Sequence, residues 1–90
     1  MAMTAVKIEA YPESPEISLE ELKQKISASL LEAGAVKINA IEEEPLAFGL
    51  NSLVITVSWP EQLETDLALA ATQVEGISSV KLIDYRRAFG

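Results

Sequence analysis

The sequence predicts an α+β domain whose elements follow the order βαββαβ. Two apolar stripes at helical spacing each end near a glycine, and four segments with strand-like patterns surround them. The two halves of the chain also share a sequence pattern. The segments EAGAVKI at 32–38 and EGISSVKLI at 75–83 both leave a helix through glutamate and glycine and enter a strand. A chain of 90 residues is expected to form a single domain over 1–90.

The first strand is predicted at residues 4–11, where Val6, Ile8 and Ala10 alternate with more polar side chains. This alternation is typical of a strand with one buried face. The segment PESPE follows, and its two prolines keep the connection extended and exclude an earlier helix start.

The first helix is predicted at 18–33. Ser18 and Glu21 have the spacing of a capping box, in which each side chain accepts a hydrogen bond from the other residue's backbone amide. Gly34 stands where a left-handed residue commonly ends a helix. The apolar stripe of this helix consists of Leu19, Leu22, Ile26 and Leu30.

Two strands are predicted after this helix, at 35–41 and 50–59. The later strand is β-branched and almost uncharged, which indicates a central strand covered on at least one face. Trp59 at its end is interpreted as a cap on the core rather than an interface anchor. Between the two strands, the glutamates at 42–44 are expected in solvent, and Pro45 is expected to turn the chain.

The second helix is predicted from about residue 65, after a loop at 59–64. Two alternatives for its start remain open on sequence: a capping box of Ser58 with Glu61, or Thr65 as the N-cap. The helix is expected to end at Gly76. Its predicted apolar stripe is Leu67, Ala70, Ala71 and Val74.

The last strand is predicted at 79–86, with Val80 and Leu82 facing inward. The complete order is that of a ferredoxin-like βαββαβ sandwich. In this fold a four-stranded antiparallel sheet carries two helices on one face.

The composition excludes several classes of function. The net charge is −7, from 14 acidic and 7 basic residues, which argues against binding of nucleic acid or an anionic membrane. The chain has no cysteine and no histidine, which removes disulfides, thiolate catalysis and the usual zinc sites. We therefore expect no metal, no other cofactor, no direct nucleic acid contact and no membrane contact. A locally basic partner fits the charge better, and a cytoplasmic location fits the absence of a signal pattern.

Two charge clusters are candidate sites. Glu42, Glu43 and Glu44 are consecutive, so on an extended chain their carboxylates alternate between faces and do not converge on a metal. They are interpreted as a solvated run, or as an electrostatic contact with a basic partner. Arg86 and Arg87 either solubilise the chain terminus or deliver a cation to an acidic or metal-bearing site on a partner.

Three segments together resemble translation elongation factor 1-beta in its short archaeal form: PESPE, IEEEPLAFGL, and VEGISSVKLIDYRR at the close. The similarity covers essentially the whole chain. Its specific parts are the Pro-x-Ala-Phe-Gly-Leu segment and the final Asp-x-Arg-Arg. The resemblance implies a non-enzymatic guanine-nucleotide exchange factor. Its partner would be elongation factor 1-alpha, the GTPase that carries aminoacyl-tRNA to the ribosome.

The resemblance also implies partner-binding residues. A phenylalanine in the Phe-Gly segment would contact one domain of the GTPase, and a basic residue near the C-terminus would reach toward the Mg²⁺ site of the nucleotide domain. Arg87 matches the position at which eukaryotic relatives have lysine, and Glu64 stands where the family's glycine is expected. The residues implied are Phe48, Gly49, Leu50, Arg86 and Arg87.

In a βαββαβ sheet, the hairpin between strands two and three and the end of strand four are expected at opposite ends. Phe48 and Arg87 would then be far apart, which suits a protein that spans two domains of its partner. The alternative function is a ferredoxin-like small-molecule-binding regulatory domain that pairs its sheets in a dimer. A dimer in solution and stabilisation by a ligand would distinguish this alternative.

Overall fold

The computed structural model describes residues 3–46 and 49–88, and at residues 87 and 88 it describes the backbone. Strands and helices follow the predicted order βαββαβ. Their bounds are β1 Met3–Pro12, α1 Leu19–Ala33, β2 Lys37–Pro45, β3 Asn51–Pro60, α2 Thr65–Thr72 and β4 Ile77–Ala88.

The four strands form one sheet in the order β2-β3-β1-β4, and each neighbouring pair is antiparallel. Buried residues of both helices join one core cluster with alternate residues of β1 and β3. The predicted ferredoxin-like fold is therefore confirmed, with both helices on one face of the sheet and the other face open. The fully buried side chains of this core include Val6, Ile8, Ala10, Ile26, Leu30, Leu53, Ile55 and Val57.

Trp59 belongs to this core, as predicted. Its side chain is almost fully buried, and its indole Nε1 donates a 3.3 Å hydrogen bond to the carbonyl oxygen of Leu63. Burial of an indole requires a partner for its N–H group, and the turn before α2 supplies one. The tryptophan therefore fixes the end of β3 against the start of the second helical segment.

The first helix has the predicted N-cap and the predicted glycine at its end, but within the described residues only one of the two expected capping-box bonds forms. Ser18 is the N-cap, and its hydroxyl accepts a 3.4 Å hydrogen bond from the amide of Glu21. Gly34 follows the last turn with φ 129°. A Cβ atom added there would lie 2.5 Å from Cδ1 of Leu63, so the glycine allows the end of α1 to approach the segment before α2 closely.

The second strand is longer at its C-terminal end than predicted. It extends over Lys37–Pro45, so the three glutamates pair with β3 and lie within the strand. An edge strand tolerates charged residues because much of its surface faces water, and a proline is accepted at its end. The prediction that β2 stops at residue 41 was therefore wrong.

The last strand also extends beyond its predicted bounds, over Ile77–Ala88. The pairing with β1 shifts between Lys7 and Ile8, where Asp84 and Leu82 are the respective partners. This irregularity leaves Ile83 as an extra residue, which explains why the predicted alternation fails there. Leu82 shares the helix-facing side with Ile8, but at the sheet edge it is still 38% exposed.

The apolar stripe predicted for α2 was wrong in part. Ala68 and Thr72 are the buried residues of this helix, whereas Leu67 and Ala70 are exposed. Residues 67–71 are all apolar, so in a helix of 8 residues the periodicity does not select a face. Thr72 is accepted in the core because its hydroxyl donates a 2.8 Å hydrogen bond to the carbonyl oxygen of Ala68.

The start of α2 at Thr65 confirms the predicted position, but neither proposed cap forms. Ser58 lies within β3, and Thr65 is already helical. Glu64 precedes the helix with an extended backbone of φ −70° and makes no side-chain cap bond. This conformation suits any residue, so glutamate is accepted where a glycine was expected. The helix ends at Thr72, before Gly76, whose φ of 99° lies in the turn to β4.

Candidate functional site

The predicted partner-binding residues belong to segments at opposite ends of the sheet. Pro45 pairs with Asn51 at the base of the β2–β3 connection, which lies beside the end of β1. Arg87 pairs with Thr4 near the start of β1. The eight steps along β1 from Thr4 to Pro12 correspond to about 26 Å at roughly 3.3 Å per residue. The register therefore places the two segments far apart on one rigid sheet.

The connection between β2 and β3 is closed by a backbone hydrogen bond. The amide of Leu46 donates to the carbonyl oxygen of Leu50 over 2.6 Å. Gly49 has φ 77°, and a Cβ atom added there would meet nothing within 4 Å. This glycine is therefore required by backbone conformation and not by packing. Phe48 lies outside the described residues.

Glu9, Tyr11 and Ser52 form a polar cluster on the open face, which stabilises the base of this connection. Glu9 accepts hydrogen bonds from the Tyr11 hydroxyl at 2.6 Å and from the Ser52 hydroxyl at 2.7 Å. These bonds, that of Tyr11 first, hold the pKa of Glu9 below its ordinary value, with a smaller contribution from the charge of Lys81. The bond to Glu9 also raises the pKa of Tyr11. The cluster therefore joins β1 to the first residues of β3.

Sequence reasoning missed this cluster. The available signal was that Glu9 and Tyr11 are two residues apart on a strand, so their side chains share a face. Ser52 was not linked to them because the pairing register of β1 and β3 is not visible in the sequence. The side chain of Ser52 is fully buried although it lies on the open face of the sheet.

The three glutamates of β2 alternate between faces, as predicted. Glu43 lies on the helix side, where its Oε2 is 2.9 Å from the Nζ atom of Lys23. This contact raises the pKa of Lys23, to which Glu20 at 3.5 Å adds. Glu42 and Glu44 pair with residues of β3 whose side chains face the open side. Within residues 3–46 and 49–88, no group of three or more acidic residues is placed to hold a metal ion.

The two arginines lie within the paired part of β4. Arg86 is the register partner of Ala5, and its Nε donates a 3.1 Å hydrogen bond to Oδ2 of Asp84. Its side chain is otherwise 79% exposed. Arg87 follows as the partner of Thr4, so the sheet fixes the backbone position of both residues.

None of the helices in the described part of the chain is long and apolar enough to cross a membrane. The longer of the two, α1, has 15 residues and carries several charges.

The family model of the EF-1 guanine nucleotide exchange domain matches residues 5–87 of the chain. Elongation factor 1-beta of Methanosarcina barkeri is 39% identical over 89 residues, which cover 97% of this chain and 99% of the relative. The protein of the same name from Desulfurococcus amylolyticus is 36% identical over 85 residues, covering 91% and 92%. That from Haloarcula marismortui is 37% identical over 84 residues, covering 91% and 93%.

A solved structure shares the fold at low sequence identity. It is LarC2, the C-terminal domain of a cyclometallase involved in the synthesis of the NPN cofactor of lactate racemase, in its apo form. The TM-score is 0.59 and the sequence identity 20%, over 99% of this chain. The match spans 58% of the LarC2 chain, less than two thirds of it. At this identity the likeness shows a common fold alone.

Proposed function

The chain belongs to the family of EF-1 guanine nucleotide exchange domains, and on this premise we propose that it is the exchange factor of elongation factor 1-alpha. It would promote release of GDP, so that GTP rebinds and the form that carries aminoacyl-tRNA is regenerated. The observation that carries this proposal is the family match over residues 5–87, which includes both ends of the sheet. The match favours exchange over the small-molecule-binding regulatory domain that the topology alone also allows.

Exchange requires the factor to bind one state of the GTPase better than another. A protein that bound the GDP-bound and nucleotide-free forms equally well would shift no equilibrium between them. The factor therefore needs at least one contact that the nucleotide-free form makes more favourably. It supplies binding energy and no bond-breaking chemistry, so we propose that it acts without enzymatic activity and without a cofactor of its own.

The sheet supports this role because it holds two contact points at a fixed separation. The strand β1 is paired on both sides, with β3 and with β4, over most of its length. A strand hydrogen-bonded on both edges bends little. Binding at one end of the sheet therefore positions the other end relative to the partner, which lowers the entropic cost of the second contact.

The end that carries Phe48, Gly49 and Leu50 is proposed to anchor the factor on one domain of the GTPase. An aromatic side chain presented by a connection of this kind provides a large apolar contact at low conformational cost. The closure between Leu46 and Leu50 and the bond from Ser52 to Glu9 support the base of the connection.

The end that carries Arg87 is proposed to act on the nucleotide domain. A Mg²⁺ ion on the nucleotide domain of the partner would help to hold GDP. The guanidinium group of Arg87 would bring a positive charge to that neighbourhood, and its fork geometry would suit the carboxylates or phosphates there. Arg86, the preceding residue of β4, is proposed as a further contact with the partner. These steps lower the affinity for GDP without any covalent change.

Release of a fluorescent GDP analogue from the cognate elongation factor 1-alpha tests the proposal. At stoichiometric amounts of the factor we expect release to be faster than the spontaneous rate of the GTPase alone. An unchanged rate would contradict the proposal. A regulatory domain would instead show a dimer and a ligand-dependent rise in the unfolding temperature, with no effect on GDP release.

A further inference from the structure

The open face of the sheet has a concavity at the end where β4 finishes. It has a volume of about 320 Å³ and is lined by Ala5, Lys7, Thr56, Asp84 and Arg86. These residues are neighbours by register on three adjacent strands: Arg86 is opposite Ala5, and Lys7 lies between Thr56 and Asp84. The small side chain of Ala5 between longer neighbours leaves the depression in the surface.

The lining is positive although the chain as a whole carries a net charge of −7. Two of its residues are cations, Lys7 and Arg86, and one is an anion, Asp84, which leaves one positive charge in excess. Lys7 makes no ion pair with any residue in 3–46 or 49–88. A cation in the middle of a sheet without a fixed counter-ion is free to bind an anion from outside.

The hydrogen bond to Asp84 orients Arg86 but takes up only the Nε–H group of the guanidinium. Oδ2 of Asp84 accepts from Nε at 3.1 Å, and the Nη groups have no hydrogen-bond partner within the described ranges. A guanidinium that is fixed on one edge presents its remaining donors in a defined direction, which favours bidentate binding of a carboxylate. The hydroxyl of Thr56 adds a further donor to the same concavity.

We propose that this concavity binds a carboxylate side chain of elongation factor 1-alpha, a proposal that rests on the exchange function proposed above. The single excess positive charge balances one carboxylate, whereas it would neutralise only half of a doubly charged phosphate. The site lies on the open face at the same end of the sheet as the backbone of Arg87. It gives an acidic factor a local attraction for an acidic group.

Affinities of variants for elongation factor 1-alpha test this proposal, measured separately on the nucleotide-free and the GDP-bound GTPase. Lys7→Gln removes one cation of the concavity. Lys25→Gln is the matched control, since Lys25 is exposed on α1 and has no ion pair among the described residues. We expect Lys7→Gln to weaken binding to both forms about tenfold at low ionic strength, as for one charge-assisted contact. The loss is expected to shrink with added salt.

Lys25→Gln is expected to stay within about twofold of the wild type, and Lys7→Arg to retain most of the affinity. A combined Lys7→Gln and Arg86→Gln variant is expected to lose less than the product of the single losses, because both cations hold the same group. Arg86→Gln, at an exposed position, also provides the test if Lys7→Gln does not fold.

Three results would overturn the carboxylate site while wild-type exchange is intact. The first is equal affinity of the Lys7→Gln and Lys25→Gln variants. The second is strictly multiplicative losses in the combined variant. The third is a loss confined to the GDP-bound form, which would assign the concavity to a nucleotide phosphate. Failure of the wild-type protein to accelerate GDP release would instead overturn the exchange function on which the proposal rests.

Discussion

The hydroxyl of Ser52 donates a 2.7 Å hydrogen bond to Oε2 of Glu9, which joins the first residues of β3 to β1 on the open face of the sheet. The other carboxylate oxygen of Glu9 accepts from Tyr11. Because Ser52 follows directly on the connection that carries Phe48, Glu9 stabilises the base of the proposed anchor. Protonation of Glu9 at low pH is expected to weaken these hydrogen bonds and so to lower the stability of the fold.

Glu9→Gln is expected to lower the free energy of unfolding at pH 7 by less than about 1 kcal/mol, because Glu9 is half-buried on the sheet surface and solvent still screens its charge. The pKa of Glu9 lies below its ordinary value of 4.5, chiefly because of the bond from Tyr11. The stabilisation is therefore present above the unfolded pKa and is lost as pH falls through the folded pKa. Urea unfolding of both proteins between about pH 7 and pH 3 measures this difference.

The control for this measurement is Glu42→Gln, since Glu42 lies on the same face and has no hydrogen bond from a described side chain. Its effect is expected to be small at every pH. A difference between wild type and Glu9→Gln that stays constant down to pH 3 would show that the hydrogen bonds do not depend on the charge of Glu9.

Gly34→Ala and Gly49→Ala separate packing from backbone conformation. Both glycines have positive φ, so an alanine at either position costs roughly 1–2 kcal/mol. At Gly34 the new methyl group would also meet Cδ1 of Leu63, whose side chain must shift, and this adds to the cost. We therefore expect the larger loss of stability for Gly34→Ala in denaturant unfolding. Equal losses would contradict the close approach at the end of α1.

The combined change of Glu42, Glu43 and Glu44 to glutamine tests whether the acidic run takes part in exchange. The carboxylates of the run alternate between faces, and Glu43 forms an ion pair with Lys23. The three residues therefore form no common site. We expect the variant to reach the wild-type rate of GDP release at saturating concentration. A several-fold lower saturating rate would show that the acidic run takes part in exchange.

The order of elements and the core of β1, β3 and α1 were predictable because their signals are local and strong. Capping at Ser18, the stripe of α1 and the alternation in β1 each depend on residues a few positions apart. The ends of β2 and β4 were not predictable, since pairing with a neighbouring strand extends both beyond their apolar stretches. The irregularity beside Lys7 likewise depends on the register of two strands.

The backbone geometry around the proposed contact residues was predictable in part, whereas the side-chain contacts around them were not. Positive φ at Gly49 follows from a glycine in a tight connection, and the separation of the two sheet ends follows from topology. By contrast, Glu9 and Ser52 are 43 residues apart, and Lys7 and Asp84 lie on different strands. Contacts of this kind depend on the register of the folded sheet, which the sequence pattern does not specify.

Phe48→Ala and Arg87→Ala are expected to impair exchange in different ways. Loss of the anchoring aromatic ring weakens binding to elongation factor 1-alpha, so more of the variant is needed to reach the full rate. Loss of the guanidinium lowers the rate itself, because Arg87 is proposed to act on the nucleotide domain. Arg87→Lys, which introduces the residue of eukaryotic relatives, is expected to retain part of the rate.

The rate of GDP release from elongation factor 1-alpha, titrated with wild type, Phe48→Ala and Arg87→Ala, tests the proposed two-ended contact most directly. We expect the wild type to accelerate release, Phe48→Ala to raise the concentration for half-maximal effect, and Arg87→Ala to lower the saturating rate. No acceleration by the wild type, or an equal effect of both variants on both quantities, would contradict the account.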